Sequence, residues 1–415
     1  MLESSCIRMG AFFIYTDGIN FIALALKKTT PHFLESNDTL MSGKNYRLRE
    51  LDFLRGIAII LVLLNHQPLF EFTSRMGWIG VDLFFVLSGF LVSGLLFKEY
   101  IKFGDIHPKR FLIRRGFKIY PVYYLFYILY LAPILIKHKL DIFGMLSDLL
   151  FVQNYYWGWG YAYSPGWSLA VEEHFYLLFS LLLYWGLKTK TISLREQNSV
   201  HFSKFEYIIV VILFLCLALR FYTNLAFPDE FARQITMTHL RLDSLLAGVF
   251  IGYWYYFKKE FLIKIFQSHK KVLLIFAIGL LSFTPFVDHT HSFFAKTIGF
   301  SMLYVAFGIL LSWFLTDGKI NIYLDKYFSS MIVNGISKIG FASYSIYIIH
   351  AFVNYALGLF LIYVLKVELP RPIHFLTAFV ITVSVGIFMT KYIEGYFLNV
   401  RDKFFPARNA ESKIK

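Results

Sequence analysis

Apolar runs recur along the chain at the length a bilayer demands. Crossing the hydrocarbon core as an α-helix takes roughly 17–25 residues. Runs of that order lie near 52–70, 79–98, 116–136, 169–187, 206–226, 240–257, 272–288, 294–315, 340–364 and 373–393. The pattern predicts an all-α polytopic membrane protein, with about ten transmembrane helices around a polar central cavity. Residues 137–168 form a long connection in which Tyr155, Tyr156, Trp157, Trp159, Tyr161 and Tyr163 are interspersed with glycines. Such a loop reads as an interfacial platform or as a lid over a cavity, and stacked aromatics would also suit a sugar.

Lysine and arginine set the orientation. Lys44, Arg47 and Arg49 precede the first run, and Lys102, Lys109, Arg110, Arg114 and Arg115 fill the second connection. Lys188, Lys190, Arg195 and Lys204 lie in the fourth, Lys258, Lys259, Lys264, Lys270 and Lys271 in the sixth, and Arg401, Lys403, Arg408, Lys413 and Lys415 at the end. Odd-numbered connections are poorer in positive charge. An even number of spans with both termini cytoplasmic satisfies this alternation, and places the 137–168 loop outside. Residues 1–40 are moderately apolar but carry Asp17 and are broken by Lys27, Lys28 and Pro31. They are expected to be an N-terminal extension outside the fold, with Met41 as a candidate start, 41–400 as one membrane domain and 401–415 as a cytoplasmic tail with no soluble domain appended.

Composition agrees. The chain is 57% hydrophobic, 20% aromatic and only 16% charged, against roughly 45–50% apolar and about 25% charged in soluble domains. The formal charge of +14 is the positive-inside excess together with contact to anionic lipid, and nucleic acid is not expected as a partner. Two cysteines, Cys6 and Cys216, exclude a disulfide framework and a thiolate metal site.

An ionisable side chain at mid-bilayer costs at least roughly 2.5–3.5 kcal/mol and marks a functional candidate. The first run contains Asp52, Arg55 and His66, while residues 56–64 are all Gly, Ala, Ile, Leu or Val. At about 100° per residue, the step from Arg55 to His66 is roughly three turns plus 20°, so both lie on one stripe about 16 Å apart along the axis. Either group alone could snorkel to its own interface, but a shared polar stripe requires a protein-lined cavity. Asp82 opens the second run at the level of His66. A carboxylate there would orient the imidazole, or would simply answer the helix dipole. Ser88-Gly89 reads as a cavity position or as a small-residue packing notch. Lys109, Arg110, Arg114, Arg115 and Lys118 enter the third run from the cytoplasm, where they would contact anionic lipid or hold a polyphosphate.

These residues carry a resemblance. Leu51-Asp52-Phe53-Leu54-Arg55-Gly56, then His66, then Gly80-Val81-Asp82-Leu83-Phe84-Phe85-Val86-Leu87-Ser88-Gly89-Phe90 resemble the opening of the membrane acyltransferase 3 family. Trp167-Ser168-Leu169-Ala170-Val171-Glu172-Glu173-His174-Phe175-Tyr176, Arg241-Leu242-Asp243-Ser244 with Gly248, and Ser343-Tyr344-Ser345-Ile346-Tyr347 with His350 are similar to its later signatures, in order from about Tyr46 to Arg401. The resemblance implies a ten-helix acyltransferase of the bacterial inner (plasma) membrane. It would move a short acyl group, typically acetyl, from acyl-coenzyme A to a hydroxyl of a sugar, lipid-linked sugar or cell-surface polysaccharide. Coenzyme A would serve as co-substrate, with no bound cofactor. The family's Arg-x10-His pair falls on Arg55 and His66. Its Arg-x-x-Arg element falls on Arg115 and Lys118, where lysine keeps the charge and loses the bidentate fork; Arg114 is a candidate substitute.

On this reading His66, Asp82 and Glu172 are the catalytic candidates, and Arg55, Arg114, Arg115 and Lys118 hold the donor. Ser88, Trp167, Tyr176, Arg241 and Asp243 line the cavity and the acceptor site. Helical spacing puts Glu172 with Tyr176, Arg241 with Ser244, and Tyr347 with His350 on shared faces. His350 and Glu394 read equally as interfacial groups. His66 would act as general base on the acceptor hydroxyl, or His66 or Ser88 would be transiently acylated. No metal is expected, because His66 has no second ligand at metal-site spacing. A transporter of a small anionic or glycolipid substrate is the rival reading. It calls for internal repeats and broken helices in corresponding halves, which the sequence lacks.

Overall fold

Every element is helical. The computed structural model describes residues 48–67, 69–194 and 202–408, with no strand among them. The expectations for residues 1–40 and for 409–415 lie outside the described residues. The helices are α1 (Arg49–His66), α2 (Glu71–Gly77), α3 (Ile79–Phe103), α4 (Pro108–Ile136), α5 (Ile142–Leu149), α6 (Gln153–Tyr156), α7 (Gly166–Lys188), α8 (Lys204–Ala226) and α9 (Phe231–Thr236). They continue as α10 (Leu242–Phe257), α11 (Lys259–Leu281), α12 (Phe300–Thr316), α13 (Ile320–Phe328), α14 (Ser330–Phe341), α15 (Ser343–Leu359), α16 (Arg371–Met389) and α17 (Gly395–Phe404). Wider π-turns at Ala295–Gly299, Phe360–Leu365 and Thr390–Glu394 precede α12, follow α15 and join α16 to α17. Arg49–Ala407 form one unit.

Each of the ten apolar runs falls on a helix. Six helical stretches are long and apolar enough to cross a membrane: Glu71–Phe103, Pro108–Ile136, Lys204–Ala226, Ala295–Thr316, Ser343–Leu365 and Arg371–Phe404. The other four runs fall on α1, α7, α10 and α11. Arg49, Glu50, Asp52 and Arg55 charge α1, and α10 has only 16 residues. Glu172 and Glu173 interrupt α7. Of the lysines expected to form the sixth connection, Lys258 alone separates α10 from α11, and Lys259, Lys264, Lys270 and Lys271 lie on α11, which buries Leu262 and Phe266. The C-terminal boundary expected at residue 400 also shifts, because α17 continues to Phe404.

Local signals set several ends. Ser203 and Glu206 form a capping box at the start of α8, where each side chain accepts a backbone N–H of the other. The Glu206 carboxylate also accepts from Lys258 Nζ and Trp254 Nε1, both at 2.6 Å, which ties α8 to the end of α10. Gly104, at φ 78°, supplies the left-handed residue that closes α3.

Several helix pairs come into backbone contact at glycines, two of them through glycines on both helices. A Cβ on Gly89 of α3 would sit 1.9 Å from the Leu245 carbonyl oxygen, and one on Gly248 of α10 would sit 2.0 Å from that of Val86. Mutually facing glycines of this kind let helices approach where no side chain fits. The packing-notch reading of Gly89 is therefore structural, and the adjacent Ser88 is left to face the cavity. Gly56 and Gly340 do the same for α1 and α14, meeting the Ile336 and Asp52 carbonyl oxygens. Replacing Gly248 by alanine should destabilise the protein by about 1–3 kcal/mol through overpacking. Gly279→Ala, where a Cβ meets nothing, should be neutral or slightly stabilising. Thermal unfolding of both variants in detergent, followed by tryptophan fluorescence, checks the contrast.

Candidate active site

Two cavities hold most of the residues singled out above. The first spans about 810 Å³, part of it open to the outside, and is lined by Arg55, Ser88, Arg115, Lys118, Glu172 and Ser343 among apolar side chains that include Phe84, Leu91 and Val92. The second, of about 770 Å³, is lined by His66, Asp82, Trp159, Trp167, Arg241 and His289, with Trp78 and Phe300. Val81 and Tyr347 belong to both walls, so the two chambers adjoin there, at a shared waist. Arg55 and His66, on one stripe of α1, therefore open into different chambers.

In the first chamber the cations are held by specific partners. Arg55 donates to the Ser343 hydroxyl at 3.0 Å. Arg115 stacks over the Tyr176 ring, 4.4 Å from its centroid, and donates to the Tyr176 hydroxyl at 2.6 Å. Tyr176 in turn donates to Glu172 Oε2 at 2.6 Å, and Ser88 donates to Glu172 Oε1 at 2.6 Å. The i, i+4 pairing of Glu172 with Tyr176 read from spacing is thus a direct bond. Lys118 Nζ lies 3.3 Å from Glu394 Oε1, a single-point contact of the kind an ammonium makes. The described residues lining this chamber carry three cations, Arg55, Arg115 and Lys118, and one carboxylate, Glu172.

The second chamber is aromatic and largely neutral. His66 is exposed into it. The Trp78 and His289 rings stack at 4.7 Å, and burial there pushes the imidazole of His289, on the 282–294 loop, down to about 4, leaving it neutral at pH 7. The 137–165 segment is a built structure that adds Trp159 and Ser164 to the wall. Asp148 anchors it, accepting from the Tyr161 and Ala162 backbone N–H groups at 2.9 and 2.8 Å and from the Tyr127 hydroxyl at 3.0 Å. At the waist, the Tyr347 hydroxyl meets Ser168 Oγ at 2.7 Å and the Pro165 carbonyl oxygen at 2.9 Å.

Three expectations change. Asp82 does not orient His66: its Oδ1 accepts from Arg241 at 2.6 Å and from Ser244 at 3.3 Å, with Asp82 and Arg241 both fully buried. A guanidinium buried between Phe85, Trp167 and Phe300 takes the nearest carboxylate, and Arg241 lies 3.7 Å from the Phe300 ring centroid. Arg114 does not substitute for Lys118, because it turns away to Asp402 at 2.9 Å and to the Phe405 carbonyl oxygen. Asp243 lines neither chamber and pairs with Arg220 at 2.6 Å. Sequence reasoning assigned no site role to Ser343 and Ser168, whose motif positions were the only signal. Glu394 and His350 read from the sequence either as cavity groups or as interfacial ones. His350 is fully buried, with its ring centroid 4.9 Å from that of His66. Among the described residues no group of three or more His, Cys, Asp or Glu could hold a metal ion.

The acyltransferase domain family matches residues 48–391. The chain belongs to the acyltransferase 3 family. A Staphylococcus aureus (strain COL) protein provisionally named an O-acetyltransferase is 29% identical over 325 residues, covering 72% of this chain and 49% of that protein. The peptidoglycan O-acetyltransferase OatA of Listeria monocytogenes is 26% identical over 322 residues, covering 72% and 48%. The O-acetyltransferase OatA of Staphylococcus aureus (strain NCTC 8325) is 30% identical over 249 residues, covering 56% and 38%. The chain thus spans about half the length or less of the curated relatives it matches. No solved structure matches it.

For this acyltransferase 3 chain, the two kinds of ion pair should separate cleanly. Asp82→Asn leaves Arg241 buried without its counter-charge and should cost roughly 3–5 kcal/mol. Arg114→Ala, whose partner Asp402 is 54% exposed, should cost no more than about 1 kcal/mol. Denaturant titration in detergent micelles measures both.

Proposed function

We propose that the chain is a membrane O-acetyltransferase. It carries an acetyl group from acetyl-coenzyme A, held on the cytoplasmic side, to a hydroxyl of a cell-envelope glycan presented on the opposite face. One observation carries the reading: a cationic chamber and a chamber containing a histidine share Val81 and Tyr347 in their walls, with Arg55 and His66 at the two ends of one helical stripe. The charge alternation puts the Arg55 end at the cytoplasm, with all ten helical runs crossing and both termini inside. Relatives named O-acetyltransferase and peptidoglycan O-acetyltransferase support the chemistry and the acceptor class.

Arg55, Arg115 and Lys118 receive the anionic nucleotide end of the donor, and its extended arm threads the waist at Val81 and Tyr347. The thioester then lies beside His66. The acceptor hydroxyl attacks the thioester carbonyl, forming a C–O bond as the C–S bond breaks. His66 takes the hydroxyl proton and returns it to the departing thiolate. The neutral aromatic wall of the second chamber suits the apolar faces of a sugar.

Purified protein in lipid nanodiscs, supplied with labelled acetyl-coenzyme A and envelope glycan fragments, tests the proposal. His66→Ala should lower transfer by about 10²–10⁴-fold with donor affinity unchanged. Arg115→Ala should act chiefly through a raised KM for the donor. Transfer by His66→Ala at the parental rate would refute the base assignment, and no transfer to any glycan by the parent protein would refute the activity.

A further inference from the structure

His350 has one nitrogen whose bonding is settled and one with nothing to bond. Its Nδ1 is in hydrogen-bond contact with the Tyr347 carbonyl oxygen. A carbonyl only accepts, so Nδ1 carries a proton and the neutral ring keeps its lone pair on Nε2. The same carbonyl oxygen accepts the Tyr163 hydroxyl at 2.5 Å, which fixes the backbone against which the ring is held. Nε2 is buried without a hydrogen-bond partner, a costly state for an acceptor and one that calls for a functional account. The His350 ring is packed against the imidazole of His66, with centroids 4.9 Å apart and planes inclined by 38°.

We infer that His350 is a positioning residue for His66: its Nε2, unbonded in the structure, accepts an N–H from the His66 ring once that ring turns toward it. The inference rests on the reading of His66 as the general base. An N–H committed to His350 fixes the His66 tautomer, so that the other ring nitrogen offers its lone pair to the chamber. When that nitrogen takes the hydroxyl proton, the bond to His350 strengthens and steadies the imidazolium, and the proton leaves with the thiolate. His350 gains and loses no proton. This is the part a carboxylate often plays; here Asp82 Oδ1 is bonded to Arg241 and Ser244, and its Oδ2 is unbonded. Other titratable groups nearby have partners of their own. The Tyr347 hydroxyl is bonded to Ser168 and Pro165, Tyr163 donates to the Tyr347 carbonyl oxygen, and His289 is stacked on Trp78.

His350→Asn keeps a donor toward the Tyr347 carbonyl oxygen and removes the acceptor at the Nε2 position, whereas His350→Gln places an amide oxygen near that position. In the nanodisc assay His350→Asn should lower kcat by roughly 10–100-fold, part of what a general base supplies, with both KM values unchanged. The acidic limb of its kcat/KM profile should move to lower pH, because the imidazolium has lost its acceptor. His350→Gln should recover most of the rate. In a His66→Ala background, His350→Asn should cost nothing further. Parental kcat and pH profile in His350→Asn, or an equal loss with and without His66, would overturn the inference while leaving the base assignment standing. Parental transfer by His66→Ala would instead remove the base assignment itself. If His350→Asn fails to fold, His350→Phe, which keeps the ring volume, takes its place in the same cycle.

Discussion

Four charged side chains buried in one apolar bundle constrain everything around them. Arg241 is bonded to Asp82, and Arg220 to Asp243, each at 2.6 Å and each without appreciable exposure. A charge removed from water must find its counter-charge inside the protein, and here each of the four also keeps one nitrogen or oxygen without a hydrogen bond. Arg220 of α8 also donates to Ser301 of α12 and to the Leu240 carbonyl oxygen. Asp82 of α3 also accepts from Ser244 of α10. The two pairs therefore tie α3, α8, α10 and α12 at one level, while the Gly89 and Gly248 contact brings α3 and α10 into backbone contact. Sliding any of these helices by a turn would leave a charge unmatched, so the register of the second chamber's wall is set electrostatically.

That register separates two chemistries that would interfere in a single pocket. A polyphosphate donor needs fixed positive charge, and a general base works best where nearby positive charge does not suppress its protonation. In the first chamber Arg55, Arg115 and Lys118 supply the charge. In the second, the only cation on the wall is Arg241, neutralised by Asp82, and His289 is uncharged. A single helix of ordinary geometry spans both chambers, which gives the Arg55 and His66 spacing its physical meaning.

Much of this was legible in the sequence, for identifiable reasons. Helical period placed Arg55 and His66 on one stripe, and Glu172 with Tyr176 on one face, because those relations are local. All ten apolar runs proved helical, yet charge in α1, α7 and α11 and the shortness of α10 leave six that meet the requirements of a span outright. Long-range pairing was not legible. Asp82 was matched to His66 by height in the membrane, but its partner lies 159 residues away on α10. Helices α13 and α14 were missed as well. At nine and twelve residues they fall below span length, and only Gly56 facing Ile336 shows why α1 needs α14 beside it.

Tyr347 joins the parts that must act together. Its side chain forms the waist with Val81, its hydroxyl is bonded to Ser168 at the start of α7 and to the Pro165 carbonyl oxygen, and its own carbonyl oxygen accepts from Tyr163 and His350. Pro165 and Tyr163 end the aromatic segment anchored by Asp148, so the outer wall, the passage and the ring beside His66 share one residue. Apolar packing alone would let the waist widen through small rotamer changes. Directed hydrogen bonds on both ends of Tyr347 make its position a choice between made and broken bonds. On the proposed mechanism, a donor arm passing this point would compete with Ser168 and Pro165 for the tyrosine hydroxyl. On the same reading, the residue whose displacement would open the way also supplies the carbonyl that holds the His350 ring beside His66, which would couple donor entry to base positioning.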